Sequence, residues 1–190
     1  MRFLWVALLL GLPPRGGLAA QARLSEAASV SQTVDGARIT VTYSRPRARG
    51  RDSLFGRVVR WGLVWTPGAN MATTLEVSKD VRLDGNPVPK GKYSVWMVVR
   101  DGGEWTFVLD PRAELFHTVH PDSTADQIRL PIRTEERPFI EVLTWWFPEV
   151  TPTGVTLALQ WGTRYVPIVI EVDKGSDPVR APSLPSSQAP

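Results

Sequence analysis

The stretch "YSRPRARGRDSLFG", Tyr43 to Gly56, places arginine at 45, 47, 49 and 51. In an extended chain, residues two apart point the same way. The four guanidiniums then form a comb, with Pro46, Ala48 and Gly50 lying against the body. A guanidinium is a planar fork that meets carboxylate or phosphate at two points, so such a comb suits an anionic ligand. The competing reading is structural: Arg45 and Arg51 pair with acids or carbonyls and brace the segment. Trp65 and Asn70 follow closely. A flat indole stacks on sugar rings and other planar ligands, and a carboxamide either fixes a turn or reaches a ligand. Arg45, Arg51, Trp65 and Asn70 are therefore the candidate ligand-binding residues, and the expected partner is an anionic small molecule or a glycan.

A second group is His117, His120 and Asp122 in "FHTVHPD", which holds the only two histidines of the chain. They are the one candidate metal set, and the candidate base and partners of a hydrolase. An H-x-x-H pair shares a face only on a helix. Thr118, Val119 and Pro121 favour an extended chain, on which the two imidazoles diverge. The chain has no cysteine, no G-x-S-x-G, no H-E-x-x-H and no phosphate-cradling glycine loop, and Asp84-Gly85-Asn86 lacks the further acids of a calcium loop. No residue is assigned a catalytic role and no cofactor is expected. A binding or accessory module is preferred over an enzyme, with a secreted hydrolase around His117, His120 and Asp122 as the alternative.

Charge narrows the partner further. Met1-Arg2, the apolar run "FLWVALLLGL" and Ala20-Gln21-Ala22 have the order of a cleaved export signal over residues 1–22, and the apolar run is too short to span a bilayer as a helix. Removing Arg2 and Arg15 lowers the formal charge from +3 to +1, so the mature chain is nearly neutral and nucleic acid is not an expected partner. The positive charge is concentrated instead. Residues 37–60 hold seven arginines against Asp52 alone. No membrane anchor is expected after signal cleavage, and the protein is expected to be secreted or periplasmic.

The elements that must carry these residues read as strands. "ARITVTY" puts Ile39, Val41 and Tyr43 on one face, and "ATTLEVS" repeats the alternation with Thr73, Leu75 and Val77. "KYSVWMVV" and "EWTFVLD" flank Asp101-Gly102-Gly103, a hairpin turn, and Asp84-Gly85 marks another. "QIRLPI", "FIEVLTWWF", "GVTLALQW" and "RYVPIVIEV" follow. Val155, Leu157, Leu159 and Trp161 share one face, Trp145 and Trp146 point to opposite faces, and Pro167 predicts an edge or a bulge. Two short helical turns are expected, one within 53–65 and one from Asp110-Pro111 through Phe116. The fold class is all-β, an antiparallel β-sandwich (jelly-roll-like) of about 8–10 strands. Residues 23–27 form a short lead-in, 28–172 a single domain, and the Pro/Ser-rich 173–190 a disordered tail.

"YSRPRARGR", "LFGRVVRWGLVWTPGANMATTLEVSKDV", "VPKGKYSVW" and "EWTFVLD" together resemble domain-of-unknown-function family 2911, a group of exported bacterial proteins. Its pattern, Tyr-Ser-Arg-Pro, then Gly-Arg, then Trp-x-x-Gly-Ala-Asn-x-Ala-Thr-Thr, is met by Tyr43, Ser44, Arg45, Pro46, Gly50, Arg51, Trp65, Gly68, Ala69, Asn70, Ala72, Thr73 and Thr74. Thr66-Pro67 departs from the Arg-Thr of many relatives, removing a basic group and stiffening the loop. The resemblance implies a fold and an exported location, and no catalytic residue.

Overall fold

In the computed structural model, residues 25–118 and 127–173 are described. Residues 1–22, read above as an export signal, lie outside them, as do His120, Asp122 and the residues from 174 onward. The strands are β1 (Glu26–Val34), β2 (Ala37–Arg45), β3 (Val64–Trp65), β4 (Thr74–Val77), β5 (Val81–Leu83), β6 (Asn86–Val88), β7 (Gly91–Val98), β8 (Glu104–Asp110), β9 (Ile128–Arg133), β10 (Glu135–Val150) and β11 (Gly154–Val172). They make two antiparallel sheets, as expected for a β-sandwich. One runs β1-β2-β4-β7-β8-β9 with β3 added against β7, and the other runs β10-β11-β5-β6.

Turn chemistry sets the hairpins. Asp35-Gly36 and Asp84-Gly85 both take positive φ at both positions, 45° and 69° in the first pair and 44° and 81° in the second. A two-residue loop of that hand matches the right-handed twist of the strands it joins, and Asp-Gly is the pair that adopts it most cheaply. Val34 thus faces Ala37 and Leu83 faces Asn86. β1 escapes the alternation search, because its inward positions are Ala28, Val30, Gln32 and Val34, mostly small or polar, as an edge strand permits.

The core lies between the sheets. Ile39, Val41, Leu75, Val95, Trp105 and Phe107 from the larger sheet meet Leu143, Trp145, Leu157, Leu159, Ile168 and Ile170 from the smaller. Leu157 and Leu159 are buried with Val155 and Trp161, as the alternation requires, and Trp145 is 2% exposed while Trp146 beside it is half-buried. The strand changes face at Gly162 (φ 60°) and not at Pro167, opposite register shifts in which β10 supplies the extra residues. Odd positions up to Trp161 face inward, and Val166, Ile168, Ile170 and Val172 do so afterwards. A residue in the left-handed region turns the strand about its axis, so the buried positions change parity across it. Pro167 sits between the β10 ladder, which ends at Tyr165, and the β5 ladder, which begins at Ile170, so its missing N–H leaves neither ladder short.

The two expected helical turns do not form among the described residues. At 54–59 one closed turn remains, with the Val58 and Val59 N–H groups both donating to Leu54 O at 2.9 Å. After β8, Asp110 does cap Arg112 N–H at 2.9 Å, but 111–116 stays non-helical because its side chain is drawn into other bonds described below.

Candidate functional site

The chain from β3 to β4 leaves the edge of β7 and returns to it, making a loop over residues 66–73. Its neck is closed by hydroxyls. Thr66 Oγ1 donates to Val95 O at 2.9 Å and accepts from Thr73 N–H at 3.0 Å, and Thr73 Oγ1 donates to Pro67 O at 2.9 Å. Trp145 Nε1 donates to the same Pro67 carbonyl at 3.2 Å. A Cβ on Gly68 would stand 2.6 Å from Thr73 Oγ1, so only glycine fits there. At the tip Asn70 has φ 64°, a conformation asparagine tolerates better than most side chains. The Gly68-to-Thr73 part of the motif that carried the family resemblance thus lies in a loop whose neck is closed by hydrogen bonds.

Asn70 ties this loop to two other segments. Its Nδ2 donates to Ser44 Oγ and to Ser25 O, both at 3.2 Å. Its carbonyl accepts His117 N–H at 3.0 Å and stands 2.8 Å from His117 Nδ1. A carbonyl can only accept, so Nδ1 carries a proton, and in the neutral tautomer this fixes, Nε2 is the acceptor. Among the described residues no nucleophile or carboxylate is hydrogen-bonded to that imidazole, and no group of three or more His, Cys, Asp or Glu could hold a metal ion. His120 and Asp122 lie outside the described residues.

His117 and Trp65 line one hollow of about 310 Å³, together with Val58, Arg60, Leu63 and Thr66. The Trp65 ring is stacked on Trp161, with centroids 6.1 Å apart and planes 15° from parallel, and meets Phe55 edge-on at 5.6 Å. It is therefore a fixed plate. Val58 and Leu63, 42% and 52% exposed, flank it with apolar surface, and Arg60 supplies positive charge.

The four candidate residues do not converge on this hollow. Arg45 reaches across the sandwich to β10, where its Nε donates to Leu143 O at 3.4 Å and its Nη2 to Thr144 Oγ1 at 3.0 Å. Arg51 closes its own turn, Nε donating to Ala48 O at 2.7 Å and Nη2 to Arg47 O at 2.9 Å. Asn70 touches the hollow only through His117. The comb itself ends early. Residues 46–48 do run extended along β10, with Leu143 N–H donating to Pro46 O and Ala48 N–H to Glu141 O, and Ala48 is fully buried as expected. Arg49 and Gly50 then turn the chain with φ of 54° and 70°, and the Glu141 carboxylate receives Arg49 N–H at 2.6 Å. That glycine made the turn legible; an arginine in the left-handed region did not.

Arg60 was hidden among seven arginines on sequence grounds, and His117 had no visible partner because Asn70 lies 47 residues away. The segment bearing His117 is anchored where it leaves β8. Asp110 has no exposed surface. Its carboxylate accepts Arg112 Nε and Nη2 at 2.9 and 2.8 Å, Arg112 N–H at 2.9 Å, and Gln127 Nε2 at 2.7 Å. The Arg112 guanidinium first, then Gln127 and the backbone, hold its pKa down to about 2 from an ordinary 3.8 against the opposing effect of burial. A folded-state pKa below the unfolded one contributes stability that is full above the unfolded value and fades as pH falls through the folded one. Asp110→Asn should therefore cost about 2 kcal/mol at neutral pH, with the difference from the parent shrinking between about pH 4 and pH 2. Urea unfolding across that range measures it; an undiminished gap at pH 2 would contradict the assignment.

A family model, that of "Protein of unknown function (DUF2911)", matches residues 25–170. No curated protein and no solved structure matches the chain.

Proposed function

The chain belongs to the DUF2911 family, proteins of unknown function, and from that premise we propose that it is a secreted or periplasmic binding module for an anionic small molecule or anionic glycan. Export rests on the signal-like order of residues 1–22. The ligand reading is carried by one observation: an indole held rigidly on a second indole lines an open hollow beside a cation and an oriented imidazole. A stacked ring loses little freedom on binding, so it serves as a platform for a sugar face, while Arg60 answers the charge. His117 presents Nε2 as an acceptor for a ligand hydroxyl. In this reading Arg45, Arg51 and Asn70 shape the segments around the hollow and do not touch the ligand.

Titration of protein beginning at Arg23 with heparin, chondroitin sulfate or inorganic phosphate, followed by tryptophan fluorescence, tests it. Trp65→Ala and Arg60→Gln should each weaken binding by about tenfold or more, since centrally placed aromatic and arginine side chains dominate such sites. Salt should weaken binding in the parent and less so in Arg60→Gln, because exposed charges are screened beyond about 8–10 Å. Arg47→Gln, an exposed arginine outside the hollow, should change little. Equal affinity in parent and Trp65→Ala would refute the site.

A further inference from the structure

Trp161, on the other side of the indole stack, lines a second hollow of about 170 Å³ with Asp52, Ser53, Trp61, Thr163 and Arg164. Two buried nitrogens there, Trp161 Nε1 and Arg164 Nε, have no hydrogen-bond partner among the described residues. Trp161 is only 4% exposed. Every other indole buried to this extent has one: Trp96 Nε1 donates to Ser94 Oγ, Trp105 Nε1 to Arg100 O and Trp145 Nε1 to Pro67 O, at 2.9, 2.9 and 3.2 Å. Native proteins rarely leave a buried donor unpaired, because its desolvation is then uncompensated.

The arrangement is also built, and by a particular device. Residues 161 and 164 are three apart and would face opposite sides of a regular strand. The left-handed turn at Gly162 changes the strand's face between them, and both residues line the same hollow. The guanidinium is fixed from its far end, with Nη1 on Thr134 Oγ1 at 3.2 Å, Nη2 on Glu136 at 2.9 Å, and its carbon 5.9 Å over the Trp105 ring. That leaves Nε as the guanidinium nitrogen without a partner among the described residues. Around these two donors stand an acceptor, the Asp52 carboxylate, and two hydroxyls of either sense, Ser53 and Thr163, between indole walls.

We infer that this second hollow is a subsite for one neutral sugar ring. A sugar offers hydroxyl oxygens to the two N–H donors, hydroxyl protons to Asp52, and a C–H face to an indole. A free anion matches the donors but meets the Asp52 carboxylate, which makes it the poorer fit. A single ordered water is smaller than the space, its share of liquid volume being about 30 Å³. The inference is separate from the anion-binding hollow at Trp65, though both fit a glycan ligand.

Thermal melts of protein beginning at Arg23, with glucose, galactose, mannose and N-acetylglucosamine as probes at up to about 100 mM, decide it through mass action. The parent should melt higher with at least one of them. Trp161→Phe keeps an aromatic ring and deletes only the N–H bond donor and the smaller ring of the indole. It should abolish the sugar-dependent rise while still melting cooperatively without sugar, lower than the parent only by the small cavity the lost ring leaves in the core. Arg60→Gln should leave the neutral-sugar rise intact, which separates this site from the Trp65 hollow. No rise with any of the four sugars overturns the inference. So does a rise that Trp161→Phe preserves. If glucuronate or phosphate shifts the melt and the neutral sugars do not, the ligand class is wrong.

Discussion

Trp145→Ala is expected to destabilise the protein by about 3–5 kcal/mol, the range for removing a buried large aromatic. The residue is 2% exposed, and it is the joint of three elements. Its ring fills the space between the sheets, its Nε1 holds Pro67 at the neck of the 66–73 loop, and its backbone N–H donates to Tyr43 Oη on β2 at 3.2 Å. Truncation leaves both a cavity and an unpaired Pro67 carbonyl. For a domain near 150 residues the loss corresponds to a fall in Tm of about 6–20 °C. Trp145→Phe, which restores most of the volume without the N–H, should lose much less, of the order of one hydrogen bond or about 1 kcal/mol plus a smaller cavity. Calorimetry on the two variants measures both; a loss under about 1 kcal/mol for Trp145→Ala would mean the ring does not fill the core.

Ile168→Ala is expected to cost about 2–5 kcal/mol, while Val169→Ala next to it should stay within about 0.5 kcal/mol of the parent. Ile168 has no exposed surface and Val169 is 46% exposed. Leu157→Ala, 1% exposed on the same strand, should cost as much as Ile168→Ala. The three together test the change of face at Gly162. Without it, inward residues would remain odd-numbered along all of β11, making Val169 the sensitive position and Ile168 the tolerant one. Chemical denaturation with an unchanged slope across the series gives the ranking. A sensitive Val169 would place the strand's C-terminal half the other way round.

Much of the fold was legible in advance because strand formation is locally encoded. Period-2 alternation marks a strand with one wet face, and Asp-Gly marks a reversal, so β2, β4, β7, β8 and the hairpins could be read from a few residues each. What was misread shares one cause. β1 carries few apolar residues because an edge strand buries little, and the turn at Arg49-Gly50 carries an arginine that local preference would not put there. The helical turns at 53–65 and 111–116 were plausible by spacing, but tertiary partners claimed the groups a helix would have used.

The site divides the same way. Residue chemistry alone marked an arginine-rich, tryptophan-rich chain with no recognisable catalytic set, and the motif at 65–74 identified the family. Which arginines were committed to backbone carbonyls, which indole became a half-buried plate, and which stayed buried with an unpaired N–H were settled only by contacts between distant segments. Arg45 finds its partners 98 and 99 residues away, and His117 finds Asn70 47 residues away. A strand's own sequence states which face a side chain takes. It does not state what another strand will place opposite that face, because the long-range pairing follows from burying all the apolar faces at once.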